Sequence, residues 1–293
     1  MAKAVNHVPM HSIKTKEMGS LGFSVINLSG GAGRAYDSKI PHRHTFYELM
    51  FFLSGNGKHE IDFNSFAIEP NSVHFVSPGQ IHRLIPKNTK GYVVCFSEDF
   101  VSLNSREGFT ERFPYYNDPS TPTLKLKKEQ AIEIKSLIEL VIKDLSPGKN
   151  VQADLYRSYL NIILLKLNDW YFSSKPYKIV EQNRNVKVQQ FKKLVNQNFT
   201  ENKSPSAYAQ ELNVSPNHLN ALCKKHEGKT AIQLIQDRMF LESKRLLYAT
   251  DLHIKEISFQ LGFEDVAYFN RFFKKLCKLT PQEYRKQQMQ KNH

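Results

Sequence analysis

A pattern near the C-terminus of this 293-residue chain occurs twice, about 50 residues apart, and each copy dictates the same local fold. The first runs Ala209-x-x-Leu212-Asn213-Val214-Ser215-x-x-x-Leu219-x-x-Leu222-x-Lys224-Lys225, and the second Ser258-x-x-Leu261-Gly262-Phe263-Glu264-Asp265-x-x-x-Phe269-x-x-Phe272-x-Lys274-Lys275. In each, a first helix ends at Leu212 or Leu261. The next residue, Asn213 or Gly262, is of a type that readily takes the left-handed conformation of a tight inter-helix turn. Val214 and Phe263 are expected to bury, and Ser215 and Asp265 to cap a second helix with a side-chain oxygen. Its core face takes Leu219 and Leu222 in one copy, and Phe269 with Phe272 or Phe273 in the other, at amphipathic spacing.

The opposite faces carry Asn217, Asn220, Ala221 and Lys224, then Val266, Ala267, Asn270, Arg271 and Lys274. Asn pairs with adenine and Arg with guanine through two hydrogen bonds, small apolar groups touch a thymine methyl, and terminal lysines suit phosphates. With the caps Ser215 and Asp265 and with His218, these are the expected DNA-contacting residues. Thr230 to Ala249, free of Pro and Gly and with Ile232, Ile235, Met239, Leu246 and Leu247 as apolar positions, is predicted to be one helix between the copies. About 20 residues at 1.5 Å rise give roughly 30 Å, close to the roughly 34 Å between successive major-groove faces.

The stretch from Phe191 to Arg285 resembles the DNA-binding domain of the AraC/XylS transcription regulators. It carries Ile254-x-x-Ile257-x-x-x-Leu261-Gly262-Phe263-x-x-x-x-Tyr268-Phe269-x-Arg271-x-Phe273-Lys274-Lys275 and the tail Thr280-Pro281-x-x-Tyr284-Arg285. Ser258 stands where that family usually has Ala, and Lys278 where it usually has Gly. The resemblance implies a sequence-specific regulator with promoter DNA and a small-molecule effector as partners. It also implies a homodimer and, for an activator, the more common role, contact with RNA polymerase.

Charge agrees. The formal net charge is +13, of which about +9 falls after Asn183, in the part that holds the repeat. A polyanionic partner and steep salt dependence follow. The longest apolar run, Leu160 to Leu167, is too short to span a bilayer, and no signal segment opens the chain, so a cytoplasmic location without membrane association is expected. Cys95, Cys223 and Cys277 are odd in number and lack metal-ligand spacing, in keeping with a reducing compartment.

From Phe23 to Phe96 short β-rich runs alternate with turn residues, among them Gly55-Asn56-Gly57, Asn64-Ser65, Pro70-Asn71 and Pro78-Gly79, which predicts an antiparallel barrel or sandwich. In the strand that starts at Pro41, alternation sets His42, His44, Phe46 and Glu48 on one face, and His82 follows on a neighbouring strand. His42-x-His44-x-x-x-Glu48 with Gly55 resembles the first cupin motif; Pro78 and Gly79 are adjacent where the second motif separates them. Two readings of His42, His44, Glu48 and His82 stand. One is a site for a divalent first-row metal, which imidazole and carboxylate suit. The other, which the attached DNA reader favours, is a metal-free pocket where these residues and Phe46 meet a polar effector, with no cofactor and no catalysis. A cupin metalloenzyme or metal-dependent sensor is the alternative function. Arg34 and Arg83 would suit an anionic or sugar ligand, and Phe46, Tyr47, Phe75 and Tyr92 are core or pocket aromatics.

Two helices are predicted next. Lys127 to Leu145 has Ile134, Leu137, Ile138, Val141 and Leu145 on one stripe; Val151 to Phe172 has Leu155, Tyr159, Ile162, Ile163, Leu167 and Trp170 on another, with a turn at Ser146 to Asn150. The expected organisation is α+β in two domains. A flexible arm (1–20) precedes a cupin-like antiparallel β-barrel with a helical hairpin (21–172, hairpin 125–172) that binds effector and dimerises. A linker (173–185) leads to an all-α domain (186–293) with two helix-turn-helix motifs joined by a long helix.

Overall fold

A computed structural model describes residues 8–11, 21–30, 38–102, 109–116, 122–145, 153–174, 185–201 and 204–291. Arg34, the turn at 146–150 and most of the linker, residues 175–184, lie outside them. The chain forms two compact units, Pro9–Pro176 and Tyr177–His293, with Met1–Val8 grouped in the second. Of the expected arm, Met10–His11 is described as a short strand.

The first unit contains strands β1 (Met10–His11), β2 (Phe23–Asn27), β3 (Arg43–His44), β4 (Tyr47–Ile61), β5 (Asn64–Ile68), β6 (Ser72–Val76), β7 (His82–Phe96) and β8 (Thr123–Lys125). Six of them form one antiparallel sheet in the order β2-β7-β4-β6-β8, with β5 on the far half of β4. The two 15-residue strands, β4 and β7, pair from Tyr47 opposite Phe96 to Ile61 opposite His82. Gly55 and Gly57, expected to make a turn, instead lie inside β4, where the register shifts between Phe52 and Ser54 and again between Ser54 and Asn56. At φ of 95° and 134° they lie against the β7 backbone, where a side chain would strike the Asn88 and Ile85 carbonyl oxygens. These bulges bend the pair, so the chain turns without leaving the sheet. The tight turns come at Asp62 (φ 52°), where Asn64-Ser65 was expected, and at Asn71 (φ 59°) and Gly79 (φ 77°).

The bend brings the two halves of the sheet face to face. Phe46, just before β4, and Met50 and Phe52 of its near half pack with Ile61 at its far end, Ile68 of β5 and Leu84 of β7 in one interior cluster. The other face of β4, through Tyr47, Leu49 and Phe51, packs with Phe75, Tyr92 and the helices α3 (Lys128–Asp144) and α4 (Ala153–Ser173), which follow the short helices α1 (Glu98–Ser102) and α2 (Phe109–Arg112). Of the aromatics expected in core or pocket, Phe46 therefore faces inward, and Tyr47, Phe75 and Tyr92 face the helices. On α4 the expected stripe gives way in part. Leu155 and Ile162 are exposed, Ile163 and Leu167 bury as expected, and Tyr156, Leu160, Leu164 and Tyr171 are buried beside them. The helix is apolar on two sides, so periodicity fits either; the side packed on the sheet is centred on Leu160, Ile163, Leu164 and Leu167, with Tyr159 and Trp170 partly buried at its margin.

The second unit comprises α5 (Val186–Asn198), α6 (Pro205–Glu211), α7 (Pro216–Glu227), α8 (Ala231–Ala249), α9 (Ile254–Gln260), α10 (Val266–Cys277) and α11 (Pro281–Lys291). The pairs α6-α7 and α9-α10 are built alike. Asn213 (φ 54°) and Gly262 (φ 81°) take the left-handed conformation, and the bonds Val214 N–H to Ala209 O and Phe263 N–H to Ser258 O, each 3.0 Å, close the two turns. Ser215 caps α7 by accepting from His218 N–H at 3.2 Å; Asp265 caps α10 by accepting from Ala267 and Tyr268 N–H at 3.0 Å. Phe269, Phe272 and Phe273 bury as expected, and in α7 Leu219 is joined in the core by Cys223 while Leu222 stays half-buried. Burial pushes the Cys223 thiol up to about 11, so it is a packing group rather than a thiolate. Val214 is half-buried where Phe263 is buried. In α8, Ala231, Ile235, Met239 and Leu246 line the core, whereas Ile232, one position off that stripe, is exposed.

Helices α7 and α10 end differently in sequence but not in backbone. Gly228 (φ 68°) follows α7 and Lys278 (φ 65°) follows α10, both left-handed. Lys278→Gly is therefore expected to stabilise this unit by about 1 kcal/mol, seen as a rise in Tm. Gly262 is tighter still, because a methyl there would fall on the Thr200 carbonyl oxygen. Gly262→Ala should lower Tm by several degrees and weaken DNA binding with it.

Candidate functional site

Inside the first unit, the alternation that starts at Pro41 delivers His42, His44, Phe46 and Glu48 to the interior, all buried. His82 opens β7 and is locked beside His42 by paired backbone bonds, His42 N–H to His82 O at 3.0 Å and the reverse at 2.8 Å. His44 Nε2 and His82 Nε2 stand 3.6 and 3.8 Å from Glu48 Oε2. Those three side chains place one ligand atom each within 4.8 Å of one another. His42 belongs to the same pocket but not to that set; its ring lies 4.2 Å from the His82 ring and 6.5 Å from the His44 ring, centre to centre. Phe46 stacks on His44 at 4.3 Å.

His59, His74 and Cys95, outside the alternation that starts at Pro41, are brought by the fold to the same interior. In β4 the even positions face inward up to Phe52, but the bulges reverse the parity and turn His59 and Ile61 inward. His74 is paired with Met50 and shares its face. The signal present in the sequence is the alternation Ser72-x-His74-x-Val76. Cys95 donates toward Glu48 Oε1 at 3.7 Å. His11, on β1, packs edge-on against His42 at 5.6 Å. Burial, followed by the neighbouring His42, holds His82 well below the usual histidine range, and burial brings His74 down to about 4. Both rings are neutral near pH 7. Neutral imidazoles around a buried carboxylate suit a cation or a polar ligand. Arg83 pairs with Glu60 at 2.6 Å, so its charge is already engaged.

In the second unit α7 and α10 each present an exposed face. Ser215, Asn217, His218, Ala221 and Lys224 are exposed on or before α7, as are Asp265, Ala267, Arg271 and Lys274 at α10, with Val266 and Asn270 half-buried. Asn220 is half-buried and its side-chain oxygen accepts from Ala231 N–H at 3.2 Å, so this residue holds the start of α8. Arg271 stays exposed, 3.9 Å from Asp265 and over the exposed Tyr268 ring at 5.9 Å. Tyr268, quoted above only as part of the family motif, is exposed on this same face.

Residues 26–157 match the model of an AraC-like ligand binding domain and residues 208–287 that of a helix-turn-helix domain. The chain is 22% identical over 256 residues to the HTH-type transcriptional activator RhaR of Mannheimia succiniciproducens, covering 86% of this chain and 89% of that one. It is 22% identical over 270 residues to the HTH-type transcriptional activator RhaS of Salmonella heidelberg, covering 88% and 93%. Among solved structures, ToxT from Vibrio cholerae aligns with 90% of this chain and 97% of its own, at 15% identity and a TM-score of 0.40. The two matched models, in this order on one chain, together with the doubled helix-turn-helix, make the protein a member of the AraC family of transcription regulators, with an N-terminal ligand-binding domain and a C-terminal DNA-binding domain.

Proposed function

We infer that this regulator reads promoter DNA with α7 and α10 and answers to an effector held among His42, His44, Phe46, Glu48 and His82. The observation that carries the reading is the doubled turn with two capped helices, each exposing polar and cationic groups from a unit of net positive charge. Ser215, Asn217, His218, Ala221 and Lys224 form one reading face; Asp265, Val266, Ala267, Asn270, Arg271 and Lys274 form the other. Arg271 suits a guanine edge, and Lys224 and Lys274, at the helix ends, suit phosphates. The relatives are named activators, which favours activation and RNA polymerase as a partner. A transcription regulator works in the cytoplasm, and no helix among the described residues is long and apolar enough to cross a membrane. Nothing in this reading calls for catalysis. An effector acts by binding one domain arrangement more tightly than the other.

Selection of genomic fragments with the purified full-length protein tests the reading: a motif of two short blocks one helical turn apart supports it, and no selected sequence overturns it. On the selected operator, Arg271→Ala should cost about 1–3 kcal/mol and relax preference at one base pair. Lys274→Ala should instead weaken binding to all sequences and lower the salt slope by about 1.

Homodimerisation is supported by the side of α4 that the core leaves uncovered. Leu155, Ile162 and Leu165 are exposed there, and Ile132 and Leu140 on α3, which Lys166 ties to α4 through Glu133 at 2.5 Å. Burial of a Leu or Ile contributes about 1.5–3 kcal/mol. The double variant Leu140→Glu, Ile162→Glu should therefore turn a dimer into a monomer in analytical ultracentrifugation without lowering Tm; a monomeric wild type would refute the interface.

A further inference from the structure

Helix α10 carries a charge that its cap does not need. Its counterpart α7 is capped by the hydroxyl of Ser215, through one bond from His218 N–H at 3.2 Å. At α10 the cap is a carboxylate: Asp265 Oδ1 accepts from Ala267 N–H and Oδ2 from Tyr268 N–H, each at 3.0 Å. The two bonds fix the plane of the carboxylate, and Oδ2 faces Arg271 Nη2 at 3.9 Å. Three and six residues after the cap, where α10 has Tyr268 and Arg271, α7 has His218 and Ala221. The acidic cap and the arginine therefore come as a pair: α10 has both and α7 neither.

Arg271 stands six residues after Asp265, about 9 Å along the axis. It reaches back because long side chains on a helix lean toward its N-terminus. On the way its guanidinium lies over the Tyr268 ring at 5.9 Å, and that ring is set against the buried Phe263 ring at 5.7 Å. Held this way, the charge sits toward the N-terminal end of α10, the end whose residues contact base edges when a recognition helix enters the major groove. The pair adds little to folding, since Arg271 is 70% and Asp265 60% exposed. Its value lies in direction. Arginine offers five N–H donors in a planar fork, and a carboxylate at one Nη leaves the remaining N–H groups for the O6 and N7 of a guanine. An arginine without that anchor is drawn to the nearest phosphate, which carries no sequence information.

We propose that Asp265 is a positioning residue: besides capping α10 it holds Arg271 at the base edges and away from the phosphates, and so sets the guanine preference without touching DNA itself. This rests on the reading of α10 as a DNA-contacting helix.

The test uses the full-length protein and the operator recovered by selection, with each of the four base pairs placed in turn at the position where Arg271→Ala relaxes preference. Asp265→Asn keeps a capping oxygen and removes the charge, as does Asp265→Ser, and both are expected to melt with the wild type. A bidentate arginine discriminates about 5–150-fold against the wrong base, and both variants are expected to lose most of that preference. Their affinity for a non-specific duplex is expected to rise, with a salt slope steeper by about 1, as Arg271 takes a phosphate. In the Arg271→Ala background, Asp265→Asn is expected to leave base preference where it was. Full preference retained by Asp265→Asn overturns the proposal. A loss that persists in the Arg271→Ala background also overturns it, because Asp265 is then a base contact of its own. If Arg271→Ala itself leaves preference intact, the placement of α10 on DNA fails, and the proposal with it.

Discussion

The pairing of β4 with β7 is the constraint on which the first unit depends. Both strands run 15 residues, too long to stay flat in a small unit, and the glycines at 55 and 57 let the pair bend where β7 passes closest. The bend creates an inside. It also reverses the parity of β4, and so decides that His59 joins His44 and Glu48 on one face. Without it the near half of β4 would present the same residues to solvent, and the histidines would be ordinary surface groups.

The outer face closes the interior. Tyr47, Leu49, Phe51, Phe75 and Phe96 pack with α3 and α4, so the sheet is buried on both sides. A buried polar group costs free energy unless it is satisfied, and the interior meets that demand almost entirely with histidine. Hydrogen bonds join Ser72, His74, His59 and His82 in a series, and His44 Nε2 and His82 Nε2 are left facing Glu48. The proposed effector pocket lies around them, as expected where local satisfaction gives way to ligand binding.

The DNA-binding unit solves a different problem. Two short helix pairs cannot bury enough area singly, so α8 serves both, with α11 closing the second through Tyr284 against Phe273. The turns and caps are local chemistry repeated. The differences between the copies, Val214 against Phe263 and Gly228 against Lys278, give the second pair the larger aromatic core and the strained end.

Sequence alone determined the second unit well, because its signals are local: a left-handed residue, a side-chain cap and a 3.6-residue period each act within a few positions of themselves. It also placed His42, His44, Phe46 and Glu48 together, since alternation is local too. It did not distinguish the two apolar sides of α4, the structural use of Asn220, or the membership of His59, His74 and Cys95 in the pocket. Those were decided by tertiary structure, for one physical reason. A bulge changes which face a residue meets, and burial is set by what packs opposite, and neither is encoded within reach of the residue it affects.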